Sequence, residues 1–164
     1  MRELLLNPLP DDEAFAAFGA LIAPPQMVGE RRFFSSWLGS EHEACSPVLH
    51  TNHVSPSMLP VPLDSLEKHP HAAQAFIPLD VSRYVVTVAP SDPQGEPLVD
   101  EIRAFVVPGN RGVIYRRDVW HGSARVLDRA GSFAVLMWRG AADDDVFFPI
   151  EPVMLAEHEA EKLS

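Results

Sequence analysis

A chain of 164 residues with 46% hydrophobic side chains is the size of one domain and long enough to bury a core unaided. Its net charge of −10 excludes nucleic acid as a partner, because phosphate contacts need a surplus of Lys and Arg, and the densest basic group is only Arg111, Arg116 and Arg117. The single cysteine, Cys45, excludes an intrachain disulfide and points to a reducing cytoplasm; the apolar run at the N-terminus is too short for a signal peptide, and nothing approaches a membrane span.

In chain order, Asp11 to Gly19 reads as a short helix, capped by Asp11 or Asp12 and stopped by Gly19. Residues 24–48 read as irregular, and Pro56 to Pro62 as a proline-rich connection. Asp64-Ser65-Leu66-Glu67-Lys68 reads as one helical turn before His69. Strands are expected at Tyr84–Ala89, Ile102–Val107, Gly112–Tyr115, Ala124–Leu127 and Ser132–Trp138, with turns at Pro90–Pro97, Pro108–Asn110 and Asp128–Gly131. The acidic tail from Glu151 reads as helical over Leu155–Lys162. Sixteen prolines favour turns and edge strands over long helices. The expected fold is mainly β, a sandwich or barrel with a few short helices, in a single domain over residues 1–164.

Two segments carry groups suited to chemistry. The first is Leu66-Glu67-Lys68-His69-Pro70-His71, running on to Gln74-Ala75-Phe76-Ile77-Pro78-Leu79. The second is Gly112-Val113-Ile114-Tyr115-Arg116-Arg117-Asp118-Val119-Trp120-His121. Together they resemble the two motifs of the cupin barrels. His69-Pro70-His71 matches the first motif's His-X-His, Gln74 falls near its metal-binding acid, and His121 falls near the second motif's histidine, with Asp118 where a glycine often sits. Imidazoles suit transition metals, but a stable site wants a carboxylate or a third histidine. With glutamine in the acid's place, no metal is expected.

A closer resemblance covers residues 48–140. Leu66-Glu67-Lys68-His69-Pro70 with Gln74-Ala75-Phe76-Ile77-Pro78, then Arg103-Ala104-Phe105, then Gly112-Val113-Ile114-Tyr115 with Val119-Trp120-His121 is similar to the ureidoglycolate lyase (ureidoglycolate hydrolase) family. That family's pattern is Glu-Arg-His-Pro with Gln-Ala-Phe-Ile-Pro, Arg-Ala-Phe, and Gly-Val-Asn-Tyr with Trp-His-His-Pro. Here Lys68 replaces arginine, Ile114 replaces asparagine, Gly122-Ser123 replaces His-Pro, His53 stands where arginine is frequent, and His71 is additional. The resemblance implies a cupin-like β-barrel (a double-stranded β-helix, or jelly roll), a homodimer, and release of glyoxylate and urea from ureidoglycolate in allantoin (purine) breakdown.

Such an elimination needs a base for the hydroxyl proton, an acid for the departing nitrogen and a cation for the carboxylate. His69 and His121 are the expected acid–base pair. Lys68, Arg103, Arg116 or Arg117 would provide cations. Gln74 and Tyr115 would hydrogen-bond the ureido or hydroxyl groups, and Phe76 and Trp120 would wall the pocket. Plainer roles compete: His69 as the head of a His-Pro turn, His71 on the surface, Phe76 in the core, Arg103 on a solvated strand face. Arg116 and Arg117 point to opposite faces if extended, so at most one faces a pocket. Asp143-Asp144-Asp145 reads as a solvated turn. Two other functions fit the same residues: a metal-dependent cupin isomerase or dioxygenase using His69, His71, Gln74 and His121, or a non-catalytic small-molecule-binding cupin.

Overall fold

A computed structural model describes residues 1–159. Two curled sheets form a β half-barrel, the mainly β architecture expected. The large sheet contains β1 (Arg2–Leu5), β4 (Val61–Lys68), β6 (Arg83–Ala89), β7 (Arg103–Pro108), β9 (Trp120–His121), β10 (Arg125–Leu127) and β12 (Val146–Ala156). Its order is β1-β12-β4-β9-β6-β10, with β7 also paired to β6. Asn7 donates to the Ala104 carbonyl and accepts from Val106, joining the start of the chain to β7. The small sheet contains β2 (Gly19–Ile22), β3 (Ser46–Val54), β5 (Gln74–Pro78), β8 (Gly112–Tyr115) and β11 (Gly131–Arg139), ordered β2-β8-β5-β11-β3. A one-turn helix, α1 (Asp12–Phe15), is capped by Asp11, whose carboxylate accepts from the Ala14 N–H at 2.7 Å. No helix among the described residues is long and apolar enough to cross a membrane.

The core explains the strand patterns. Tyr84, Val86 and Val88 join Phe105, Val113, Tyr115, Phe133 and Val135 in one cluster between the sheets. Val85 and Ala89 join Leu63, Leu66, Trp120 and Leu155 in a second cluster on the other face of β6. A strand buried on both faces must be apolar throughout, which is why 84–89 carries no alternation. In β11 only Phe133, Val135 and Met137 are fully buried, so that strand alternates. Phe34, Trp37 and Leu38 cover the outer face of the small sheet at Ala73, Ala75 and Ile114.

Three local expectations are corrected. Asp64–Lys68 is the end of β4, because Ser65, Leu66 and Glu67 pair with Pro149, Phe148 and Phe147 of β12. Cross-strand pairing outweighs the helical leaning of Leu-Glu-Lys. Glu151–Ala156 is likewise strand, the end of β12, and residues 160–162 of the expected tail helix lie outside the described residues. Gly19 does not simply stop the helix. It opens β2 at φ 152°, and a Cβ there would lie 1.7 Å from the Ile114 carbonyl oxygen.

Candidate active site

Glu67, at the end of β4, pairs directly with His121 of β9, and His121 pairs in turn with Val88 of β6. Paired residues share a face, so Glu67 and His121 both point at the core between the sheets. His69 follows β4 immediately. Gln74 opens β5 opposite Tyr115, the last residue of β8. These ends of four strands converge on one point.

The point is almost dry. His121 is 1% exposed, Tyr115 4%, Gln74 6% and His69 8%. The Tyr115 ring stacks on the His121 ring at 4.1 Å and 10°, and the two histidine rings are 5.2 Å apart. Phe76 packs edge-on against Tyr115 and Phe133, which closes the side facing the core.

The two imidazoles are held differently. His121 Nδ1 donates to the Val119 carbonyl at 3.0 Å, since a carbonyl can only accept. In the neutral ring that leaves Nε2 with a lone pair, buried, without a hydrogen-bond partner, and 3.6 Å from Glu67 Oε1. His69 Nδ1 faces the Asp145 carboxylate at 3.0 Å and the Asp144 carbonyl at 3.2 Å. Its Nε2 faces the Gln74 amide at 2.9 Å. An amide accepts from a protonated ring or, turned over, donates to a neutral one, so Gln74 serves both states of His69. Asp145 is itself gripped by both arms of the Arg139 fork at 3.1 and 2.5 Å.

Electrostatics follow from these contacts. The His121 imidazole holds the Glu67 carboxyl below its usual range against the opposing effect of burial, and the charges of His121 and His69 add to this. The Arg139 fork holds Asp145 low in the same way. Burial pushes the Tyr115 phenol up, with the Glu67 charge reinforcing it, so Tyr115 stays a neutral donor.

The structure sorts the sequence candidates. His69, His121, Gln74, Tyr115 and Phe76 come together. Lys68 and Trp120 do not join them. Each is adjacent in its strand to a site residue, so each faces the other way. There the Lys68 ammonium lies 4.8 Å from the Trp120 ring, bonds the Gly95 carbonyl and pairs with Asp118. Arg103 is exposed and lines a cavity with Ala14 and Glu101. Arg116 and Arg117 line a cavity of about 550 Å³ with Ala89, Ser91 and Asp118; neither histidine borders it. Arg117 is tied to Glu41 and to the Pro70 carbonyl.

Two site residues were not expected. Glu67 was hidden by reading 64–68 as helix; read as strand, its period of two places Glu67 on the His69 side. Asp145 sat in a run assigned to solvent. That assignment suits Asp143, whose side chain is 64% exposed, but not Asp145, whose side chain is 26% exposed against His69 and Arg139. Glu67 also borders a cavity of about 210 Å³ with Ser65, Ser123, Arg125 and Phe147.

A metal fits the donor set. One ligand atom each of Glu67, His69 and His121 lies within 4.8 Å of the others. His121 Nε2 has no hydrogen-bond partner among the described residues and so is open to a ligand, and two imidazoles with a carboxylate suit a divalent transition metal.

Glu67 has a lower pKa folded than unfolded. Its ionised form therefore adds stability above the unfolded range near ~4.3, and this is lost as pH falls through the folded value. Glu67→Gln is expected to flatten the decline in unfolding free energy between about pH 5 and 3. Equal slopes for both proteins in urea melts would contradict this.

Comparison with known proteins identifies the family. A family profile described as ureidoglycolate lyase matches residues 1–156. The chain is 35% identical over 159 residues to a protein named ureidoglycolate lyase from Burkholderia cepacia, covering 90% of this chain and 86% of that one. It is 33% identical over 145 residues to one of the same name from Escherichia coli, covering 82% and 87%. A third of that name, from Pseudomonas fluorescens, is 30% identical over 173 residues and is covered completely, with 97% of this chain. The chain belongs to the ureidoglycolate lyase family.

Proposed function

We propose that this protein is a carbon–nitrogen lyase that splits ureidoglycolate into glyoxylate and urea. The observation that carries the reading is the unlike setting of two adjacent buried histidines. His121 presents a lone pair at Nε2, fixed by the Val119 carbonyl at its other nitrogen. His69 has a carboxylate, Asp145, at Nδ1, which fixes that nitrogen as a donor and turns Nε2 towards Gln74.

His121 takes the substrate hydroxyl proton as the carbonyl of glyoxylate forms. The carbon–nitrogen bond breaks with its electron pair going to the ureido nitrogen, and His69 gives that nitrogen a proton from Nε2. Glu67 holds the imidazolium that His121 becomes. The proton returns from His121 towards His69 across the 5.2 Å between the rings, with Glu67 and Gln74 at its flanks. Tyr115 holds the His121 ring flat, and Phe76 keeps water from the core side. Each proton transfer contributes roughly 10²–10⁴-fold.

A second reading keeps the residues and adds a cofactor. Glu67, His69 and His121 would hold a divalent metal, which would supply Lewis acidity for the substrate oxygens. We further propose that the protein is a cytoplasmic homodimer. Cys45 is a free thiol, and β3 is a nine-residue edge strand carrying Leu49, 70% exposed. Such an edge invites a second copy.

His121→Asn should cut glyoxylate release from ureidoglycolate by about 10² or more while leaving the fold intact; turnover at the original rate would remove His121 from the chemistry. Elemental analysis of protein purified without added metal separates the two cofactor readings. A stoichiometric transition metal supports the metal centre, and less than a tenth of an equivalent (about 0.1) rejects it, because a three-donor site of this kind retains its ion. In sedimentation the wild type should run as a dimer and Leu49→Arg as a monomer. A dimer unaffected by Leu49→Arg would place the interface elsewhere.

A further inference from the structure

We infer that the cavity of about 210 Å³ beside Glu67 is the substrate subsite, and that Arg125 is its carboxylate anchor. This rests on the lyase reading above, which leaves the substrate's carboxylate without a partner.

The other cations are occupied or elsewhere. Lys68 is committed to Asp118, Gly95 and Trp120 on the opposite face of β4. The Arg139 fork is filled by Asp145. Arg103, Arg116 and Arg117 border cavities that Glu67 does not line. Arg125 differs. Among the described residues its side chain makes one hydrogen bond, from NH2 to the Pro62 carbonyl at 2.7 Å, and its Nε is buried with no partner. A guanidinium has five N–H donors and cannot lose its charge, so a half-buried one with a single bond is a strong site for a planar anion.

The cavity suits a small hydroxy acid. Neither histidine lines it, but a molecule in it touches Arg125 on one wall and, on another, Glu67, whose carboxylate lies 3.6 Å from His121 Nε2. Ser65 and Ser123 offer hydroxyls, and Ser123 stands where the family pattern has proline. Phe147, 64% exposed, gives an apolar wall that a ligand would cover. Asp64 also borders the cavity and attracts Arg125. With Glu67 it makes two carboxylates to one guanidinium. A monoanion is therefore accepted and a dianion repelled.

The test is to titrate wild type, Arg125→Gln and Arg125→Lys with glyoxylate and with oxalate, and to measure KM for ureidoglycolate with each protein. Wild type should bind glyoxylate, and oxalate more weakly. Arg125→Gln should raise the glyoxylate Kd and the KM about 10- to 100-fold with an unchanged melting midpoint. Arg125→Lys, which keeps the charge but loses the fork, should fall between, and it decides the matter if the Gln variant does not fold. Wild-type Kd and KM in the folded variants, no glyoxylate binding by wild type, or tighter binding of oxalate would each overturn the inference. Glyoxylate binding that depends on Arg125, without glyoxylate release from ureidoglycolate, would instead reject the lyase reading and leave the subsite standing.

Discussion

A carboxylate and an imidazole face each other inside the fold, Glu67 against His121 at 3.6 Å, with the imidazole 1% exposed. Burying either group alone would be costly, and the cost is offset only while the two carry opposite charge or share a proton or an ion. The surrounding structure is arranged to keep them opposed. Direct pairing of Glu67 with His121 fixes their separation through backbone hydrogen bonds rather than through flexible side chains. The Val119 carbonyl fixes the ring's tautomer, and the Tyr115 ring stacked at 4.1 Å fixes its plane. Site and sheet register are thus one constraint: a slip of one residue in β4 would turn Glu67 to the other cluster and bring Lys68 to His121.

The same alternation divides labour within the family's two motifs. In Glu67-Lys68-His69 and Trp120-His121, neighbouring residues serve opposite faces. Glu67, His69 and His121 converge on one point. Lys68 and Trp120 clamp the 90–97 turn instead, since the Lys68 ammonium and the Trp120 indole N–H both donate to the Gly95 carbonyl. Asp118 completes the clamp. It pairs with Lys68, its N–H donates to the His69 carbonyl, and it takes φ 67°, the conformation that explains the glycine usual at this place in cupins. Residues that look like pocket walls in sequence therefore hold a turn on the opposite face of the sheet.

What could be read from sequence follows from the same physics. Strands 84–89, 102–107, 112–115 and 132–138 were legible because both the two-sided apolar run and the strict alternation are strong signals. β3 was not, since Ser46–Val54 is largely exposed and carries no burial pattern. β4 was mistaken because Leu66-Glu67-Lys68 favours helix locally, whereas β12, eighty residues away, decides its state. The convergence of His69, Gln74, Tyr115 and His121 was legible as motif spacing. Which arginines are already paired was not, because charge is visible in a sequence but the partners that neutralise it are not. Arg139 and Arg125 look alike in one dimension, and only Asp145 distinguishes them.

Two histidines with rings 5.2 Å apart look like a symmetric pair. Here the second nitrogen of each ring breaks that symmetry. A backbone carbonyl at His121 Nδ1 accepts a hydrogen bond but brings no full charge, so it orders the ring without committing it to a proton. A carboxylate at His69 Nδ1 brings a full charge, and Arg139 keeps that carboxylate ionised. The two rings are therefore distinguished by what stands behind each of them. Replacing Asp145 would release the His69 ring, because Asp145 is bonded to the ring nitrogen that faces away from Gln74.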